Sequence, residues 1–91
     1  MRIQQELGNR RLIELAKVAV CQALVAVGDV DQAEPMAKEI LAVALEAGDG
    51  RNTHFAYHFW ADCCLYREEG MEAERLYVES LRADIGLQTK A

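Results

Sequence analysis

The sequence predicts an all-α fold of about four helices, arranged as two tandem antiparallel helical hairpins. Its commonest residues include alanine, leucine and glutamate, which are strong helix formers. The 91 residues contain one proline and six glycines, so few positions interrupt long helices. In addition, shifting the chain by forty residues brings its turns and apolar positions into register without a gap. A chain of this length supports one small domain.

The forty-residue shift predicts how that domain is divided. The segment Leu7-Gly8-Asn9-Arg10-Arg11 aligns with Ala47-Gly48-Asp49-Gly50-Arg51, and both segments predict turns. Residues 1–7 are then the tail of a preceding second helix, residues 8–47 a first repeat and residues 48–87 a second repeat. The chain is therefore expected to be a fragment of a longer array.

In the first repeat we predict helices over residues 10–27 and 31–47, separated by Gly28-Asp29. Glycine is the usual residue just past a helix end. Asp31 and Glu34 have the spacing of a capping box. Pro35 lies past the first turn of that helix, where proline removes a hydrogen bond. Either the helix begins later than Asp31, or it bends at the proline.

The second repeat follows the same plan. Gly48-Asp49-Gly50 predicts a turn, followed by a helix over residues 52–69, a break at Gly70, and a helix over residues 71–85 that Gly86 ends. Ala33 and Ala73 occupy matching positions near the start of each second helix. These small side chains predict a close approach of two helices.

Charge and cysteine content limit the function classes. The net charge is −5, from ten basic and fifteen acidic residues, which argues against a nucleic-acid groove because such grooves depend on cationic contacts to phosphate. Cys21, Cys63 and Cys64 lack metal-binding or redox spacing, so we predict three small buried side chains. Their odd number, without a secretory signal, predicts a reducing cytoplasmic location.

A membrane span is not expected. The apolar stretch over residues 12–27 is short for a transmembrane helix, and Glu14, Lys17 and Gln22 interrupt it. Its side chains are nevertheless apolar nearly all the way round the helix, so the helix needs cover on more than one side. That need predicts either a neighbouring repeat or association of several chains.

Several short segments resemble tetratricopeptide repeats. Gly28-Asp29-Val30-Asp31-Gln32-Ala33 is similar to the family's inter-helix turn, with Ala33 as its small residue, and Ala73 takes that place in the second unit. The family's large, small and large positions in the first helix correspond to Trp60, Ala61 and Cys64. Its aromatic position in the second helix corresponds to Tyr77. The forty-residue period exceeds the usual thirty-four. It resembles the MalT-like helical arrays of bacterial LuxR-type and related ATPase regulators.

The resemblance implies a right-handed superhelix whose concave face, lined by the first helix of each repeat, holds a protein or peptide. Lys17, Cys21, Pro35 and Glu68 depart from the family pattern, which leaves individual helix ends open. The resemblance implies a scaffold in a bacterial regulator, with no catalytic residue, cofactor or metal ligand. The concave-face positions that it implies for partner binding are Gln22, Ala26, His58, Asp62 and Tyr66.

Two other functions remain open. The chain could be a self-associating structural domain without a groove ligand, joined through its exposed terminal helices. The less favoured alternative is a metal- or thiol-dependent enzyme. His54, His58 and Asp62 share one helix face at four-residue spacing, but no third strong metal ligand follows. His58 and Asp62 could form a base with its orienting carboxylate, but no nucleophile shares their face. We therefore predict that the chain is not an enzyme.

Overall fold

The computed structural model describes the backbone of residues 3–90 and the side chains of residues 9–86. This part of the chain forms four helices and no strands: α1 (Ile3–Ala26), α2 (Val30–Ala47), α3 (Gly50–Tyr66) and α4 (Gly70–Lys90). The predicted all-α class and the number of helices are confirmed.

The helices pack in chain order, with α3 at the centre. Each helix contacts the next one along the chain, and α1 also contacts α3. Within the described backbone, α1 and α4 do not touch each other, and neither do α2 and α4. The hairpin α1–α2 therefore packs on the hairpin α3–α4 through α3.

The three turns between helices have one common geometry. In each, a backbone N–H bonds the carbonyl oxygen five residues earlier, as in the Schellman motif that closes many helices. The three bonds are all 2.8 Å long: Asp29 N to Leu24 O, Asp49 N to Ala44 O, and Glu69 N to Cys64 O. Successive turns are therefore twenty residues apart, and the first and third stand forty residues apart, as the sequence repeat requires.

Each turn needs one residue with a positive φ. Gly28 and Gly48 supply it in the first two turns, with φ of 80° and 68°. In the third turn Glu68 adopts a φ of 63°, although a side chain in this left-handed region crowds the backbone. Glu68, which stands where the repeat pattern has glycine, therefore forms the same turn but with a strained backbone.

The start of α2 differs from the prediction. Its N-cap is Asp29, whose side chain accepts a hydrogen bond from Gln32 N at 3.3 Å. The predicted capping box of Asp31 and Glu34 is therefore wrong. Because α2 begins at Val30, Pro35 lies well inside the helix, and a later helix start is ruled out as the way to accommodate it.

Three glycines that were predicted to interrupt helices do not do so: Gly8 and Gly86 lie inside helices, and Gly70 begins one. The helix α1 continues through Gly8, so the turn expected over residues 7–11 is not formed. Likewise, α4 starts at Gly70 and continues through Gly86, while the chain reverses at residues 67–69. One glycine inside a helix costs only about 1 kcal/mol relative to alanine, so glycine alone does not force a turn.

Small residues form much of the core. One buried cluster joins α1, α2 and α3, and a second joins α3 to α4. Ala33 and Ala73 are 0% and 1% exposed, which confirms the predicted seam. Cys21, Cys63 and Cys64 are buried free thiols, as predicted.

The outer faces of the first and last helices remain uncovered. On α1, the apolar side chains of Ile13 and Val20 are exposed, as is that of Val27 just past its end. On α4, Leu76 is buried but Leu81 and Ile85 are exposed. The apolar pattern of these helices therefore extends beyond the partners that the described part of the chain provides.

Candidate binding groove

A shallow groove runs across α3, with α1 on one side and α4 on the other. It encloses a volume of about 660 Å³, and we call it the α3 groove. Three helices supply its lining: Val18, Gln22, Val25 and Ala26 from α1; His54, Phe55, His58, Phe59 and Asp62 from α3; Tyr77, Ser80 and Leu81 from α4.

Four of the five side chains predicted for the concave face line this groove, namely Gln22, Ala26, His58 and Asp62. Tyr66 does not. It is the last residue of α3, and its ring lies against the turn at Gly28, where an added Cβ would stand 2.3 Å from the Tyr66 hydroxyl oxygen. The structure thus brings four of the predicted positions together and places the fifth beside the first turn.

Asp62 is the polar centre of the groove. Its Oδ1 accepts a hydrogen bond from the Tyr77 hydroxyl of α4, and its Oδ2 lies 3.5 Å from His58 Nε2. The rings of His58 and Tyr77 have centroids 5.5 Å apart. Burial and the bond to Asp62 raise the pKa of Tyr77 to about 12, so its hydroxyl remains a proton donor at neutral pH.

His54 belongs to a different contact from His58. Its Nδ1 lies 2.9 Å from the Ser80 carbonyl oxygen, and Ser80 Oγ donates a hydrogen bond to the His54 carbonyl oxygen at 3.0 Å. His54 Nδ1 also lies 2.9 Å from Ser80 Oγ, so the histidine tautomer sets which of these atoms donates. His54, His58 and Asp62 share one face of α3 as predicted, because all three line the groove and the rings of His54 and His58 stack with centroids 6.3 Å apart, but His54 also contacts α4.

The geometry provides little for metal or thiol chemistry. Among the described side chains, no three His, Cys, Asp or Glu residues come together in a way that could hold a metal ion. Burial raises the pKa of Cys21 to about 11 and that of Cys63 to about 12, so both are neutral thiols at physiological pH. Neither they nor Cys64 line the α3 groove.

The sequence analysis missed the wall that α4 contributes. The sequence predicts Tyr77 as an aromatic position of the repeat and does not indicate Ser80 or Leu81 as binding residues. Their forty-residue counterparts Ala37, Ile40 and Leu41 are all buried, so the repeat pattern itself predicts core positions. Ser80 is buried against α3 and Tyr77 is partly buried there, and only Leu81 of the three is exposed, so these residues reach the groove at the edge of the α3–α4 contact.

Fold and groove together define the class of protein as an all-α chain of stacked helical hairpins with an open groove across α3. No known protein family, curated protein or solved structure matches the chain. None of the helices within residues 3–90 combines the length and apolar character needed to cross a membrane.

Proposed function

We propose that this chain is a protein-interaction module whose α3 groove holds an apolar peptide segment bearing one cationic side chain. The observation that carries the proposal is the position of Asp62, in the middle of a groove walled largely by apolar side chains. Phe55, Phe59 and Leu81 are among those walls. Apolar walls with a few placed polar groups are typical of binding sites.

The negative charge of Asp62 favours a partner with a cationic side chain. Asp62 bears the single formal charge among the described side chains that line it, and the chain as a whole carries a net charge of −5. A carboxylate offers about four acceptor positions, so Asp62 can accept from Tyr77 and still pair with a lysine or arginine. An acidic segment would meet repulsion at the same place.

The wider setting is part of the same proposal. The likeness of the turns and small positions to tetratricopeptide and MalT-like arrays supports a scaffold role in a bacterial regulator. The buried free thiols fit a reducing cytoplasm. We assign the chain no reaction.

Two synthetic peptides test the groove. Both have ten residues and the same apolar side chains, and they differ only in a central lysine or glutamate. Fluorescence anisotropy with the purified chain should show tighter binding of the lysine peptide, and Asp62→Asn should remove most of the difference between the two. Equal affinity for both peptides, or no binding of either, would contradict the proposal.

A steric pair of variants controls for position. Ala26→Trp places an indole in the groove and should weaken both peptides. Ala42→Trp places the same group on the exposed face of α2, outside the groove, and should leave binding unchanged. If the two variants behaved alike, the peptide would be bound elsewhere.

A further inference from the structure

The internal repeat indicates a contact between helices that one copy of the chain does not make by itself. A shift of forty residues carries α2 onto α4, and the reverse shift carries α3 onto α1. Since α2 packs on α3 within the chain, the counterparts of that junction are the outer faces of α4 and α1. Neither outer face is covered by the described part of the chain.

The core of the junction shows the correspondence. Leu41 of α2 is 9% exposed, whereas its counterpart Leu81 of α4 is 58% exposed. Ala56 of α3 is buried, whereas its counterpart Ala16 of α1 is exposed. The same positions are therefore buried where a neighbouring hairpin is present and exposed where it is absent.

Two polar contacts of the junction change in matched pairs, whereas a third, between Arg67 and Glu34, has Val27 and Glu74 as its counterparts. Arg67 Nη2 lies 3.0 Å from Asp31 Oδ1 at the internal junction. The counterparts of these two residues are Val27 and Met71, which are 78% and 89% exposed. An ion pair is thus replaced by two apolar side chains, both of them unusually open to solvent.

A second pair changes in the same way. Lys38 Nζ lies 5.0 Å from the centre of the Trp60 ring, a cation–π contact between α2 and α3. The counterparts are Val78 on α4 and Val20 on α1, both exposed. At both contacts the two sides have changed together, so the α4 face and the α1 face match each other in chemistry.

We propose that the α4 face of one copy packs on the α1 face of a second copy, head to tail, in the geometry of the internal α2–α3 junction. The face on α4 is formed by Met71, Val78 and Leu81, and the face on α1 by Ala16, Val20 and Val27. Because the two faces differ, each copy keeps one free face and the assembly grows beyond a dimer.

This contact is separate from the interaction proposed for Asp62. Gln22, the counterpart of Asp62, stays exposed beside the internal junction, so Asp62 remains open beside the head-to-tail one. The junction does cover Leu81 on the far wall of the groove. The two proposals therefore share Leu81 and are distinguished at Asp62, since Asp62→Asn should change the peptide preference and leave the association of copies unchanged.

Sedimentation velocity over a range of concentrations tests the association with the intact chain. We expect species larger than a dimer at high concentration, and we expect Leu81→Glu to leave a monomer. Ile85→Glu on the same helix is the matched control. Its counterpart Leu45 is 57% exposed even beside the internal junction, so this variant should still assemble. A parent chain that stays monomeric at every concentration would overturn the proposal.

An exchange of the ion pair tests the orientation. Val27→Arg and Met71→Asp should each weaken assembly alone, because each puts a charge against an apolar side chain. Mixing the two variants should restore assembly beyond a dimer in alternating order, because the introduced arginine and aspartate can pair as Arg67 and Asp31 do at one junction and the unchanged Met71 and Val27 meet at the next. One chain carrying both changes should assemble again. Circular dichroism confirms that each variant is folded, and assembly of either single variant to the parent's extent would overturn the head-to-tail arrangement.

Discussion

The side chains of Ser80 and His54 each lie within hydrogen-bonding distance of the main-chain carbonyl of the other, across the contact between α4 and α3. Ser80 Oγ donates to the His54 carbonyl oxygen at 3.0 Å, and His54 Nδ1 lies 2.9 Å from the Ser80 carbonyl oxygen. Ser80 is the one buried polar residue of the described chain, with 2% of its surface exposed. Its counterpart in the first repeat is Ile40, an apolar core residue.

Ser80→Ala is therefore expected to lower the free energy of unfolding by about 1 kcal/mol, the usual net contribution of one hydrogen bond. Urea denaturation followed by circular dichroism measures the change. Glu79→Gln, one residue away and closer to solvent, should stay within about 0.5 kcal/mol of the parent. Equal losses for the two variants would mean that the Ser80 bond adds nothing.

Ala33→Trp and Ala73→Trp should each lower the free energy of unfolding by roughly 1–3 kcal/mol, because a large side chain overpacks a filled site. Both alanines are buried, at the start of α2 and of α4. Ala42→Trp on the exposed face of α2 is the control and should change stability little. The same denaturation experiment decides, and a loss at Ala42 as large as at Ala33 would point to helix propensity rather than packing.

Glu68→Gly should raise the free energy of unfolding by about 1 kcal/mol, because glycine adopts the left-handed conformation without the crowding that a Cβ causes. The reverse change, Gly48→Ala, should cost a similar amount. Its φ is 68° and no atom lies within 4 Å of an added Cβ, so backbone strain alone is measured there. If Glu68→Gly left the free energy of unfolding unchanged while Gly48→Ala lowered it, the backbone at Glu68 would not be strained in solution.

The stability of the chain should fall as the pH rises from about 9 toward 12. Burial raises the pKa of Cys63 from its ordinary value of 9.0 to about 12, and that of Cys21 to about 11. Above pH 9 the unfolded chain therefore loses thiol protons that the folded chain keeps, so unfolding becomes more favourable. Tyr77, whose pKa is raised from 10.0 to about 12, acts in the same direction.

Denaturation series at several pH values measure this slope, and Cys63→Ala is the comparison. The variant lacks one of the titrating thiols, so its stability should decline less between pH 9 and pH 12. An unchanged slope would show that the Cys63 thiol does not titrate differently in the folded and unfolded chains.

The turns at Gly28 and Gly48 were predictable from the sequence, whereas the turn expected over residues 7–11 is not formed. Gly28-Asp29 and Gly48-Asp49 combine the residue that suits a positive φ with one that caps the following helix, and both form the expected reversals. The first cap was misplaced because Asp29 and Asp31 are equally able to cap a helix. Tertiary contacts decide between them, since the side chains of Asp31 and Glu34 both pair with Arg67, more than thirty residues away.

The sequence predicted groove residues on α1 and α3 but none on α4. Four-residue spacing places His58 and Asp62 on one face of α3, and both line the groove. The contact from Tyr77 to Asp62 depends on how α3 and α4 cross, which spacing within one helix does not determine. Tyr66 follows the same spacing, but α3 ends at that residue and its ring turns toward Gly28.

The even spacing of the three turns makes the chain extensible. Residues 28–67 begin at one reversal and end just before a geometrically matching one, so a tandem copy of that cassette can be spliced in at Gly28 or Glu68 with the local backbone preserved on both sides. Each insertion would lengthen the molecule by one hairpin, and its reach could be adjusted in fixed steps.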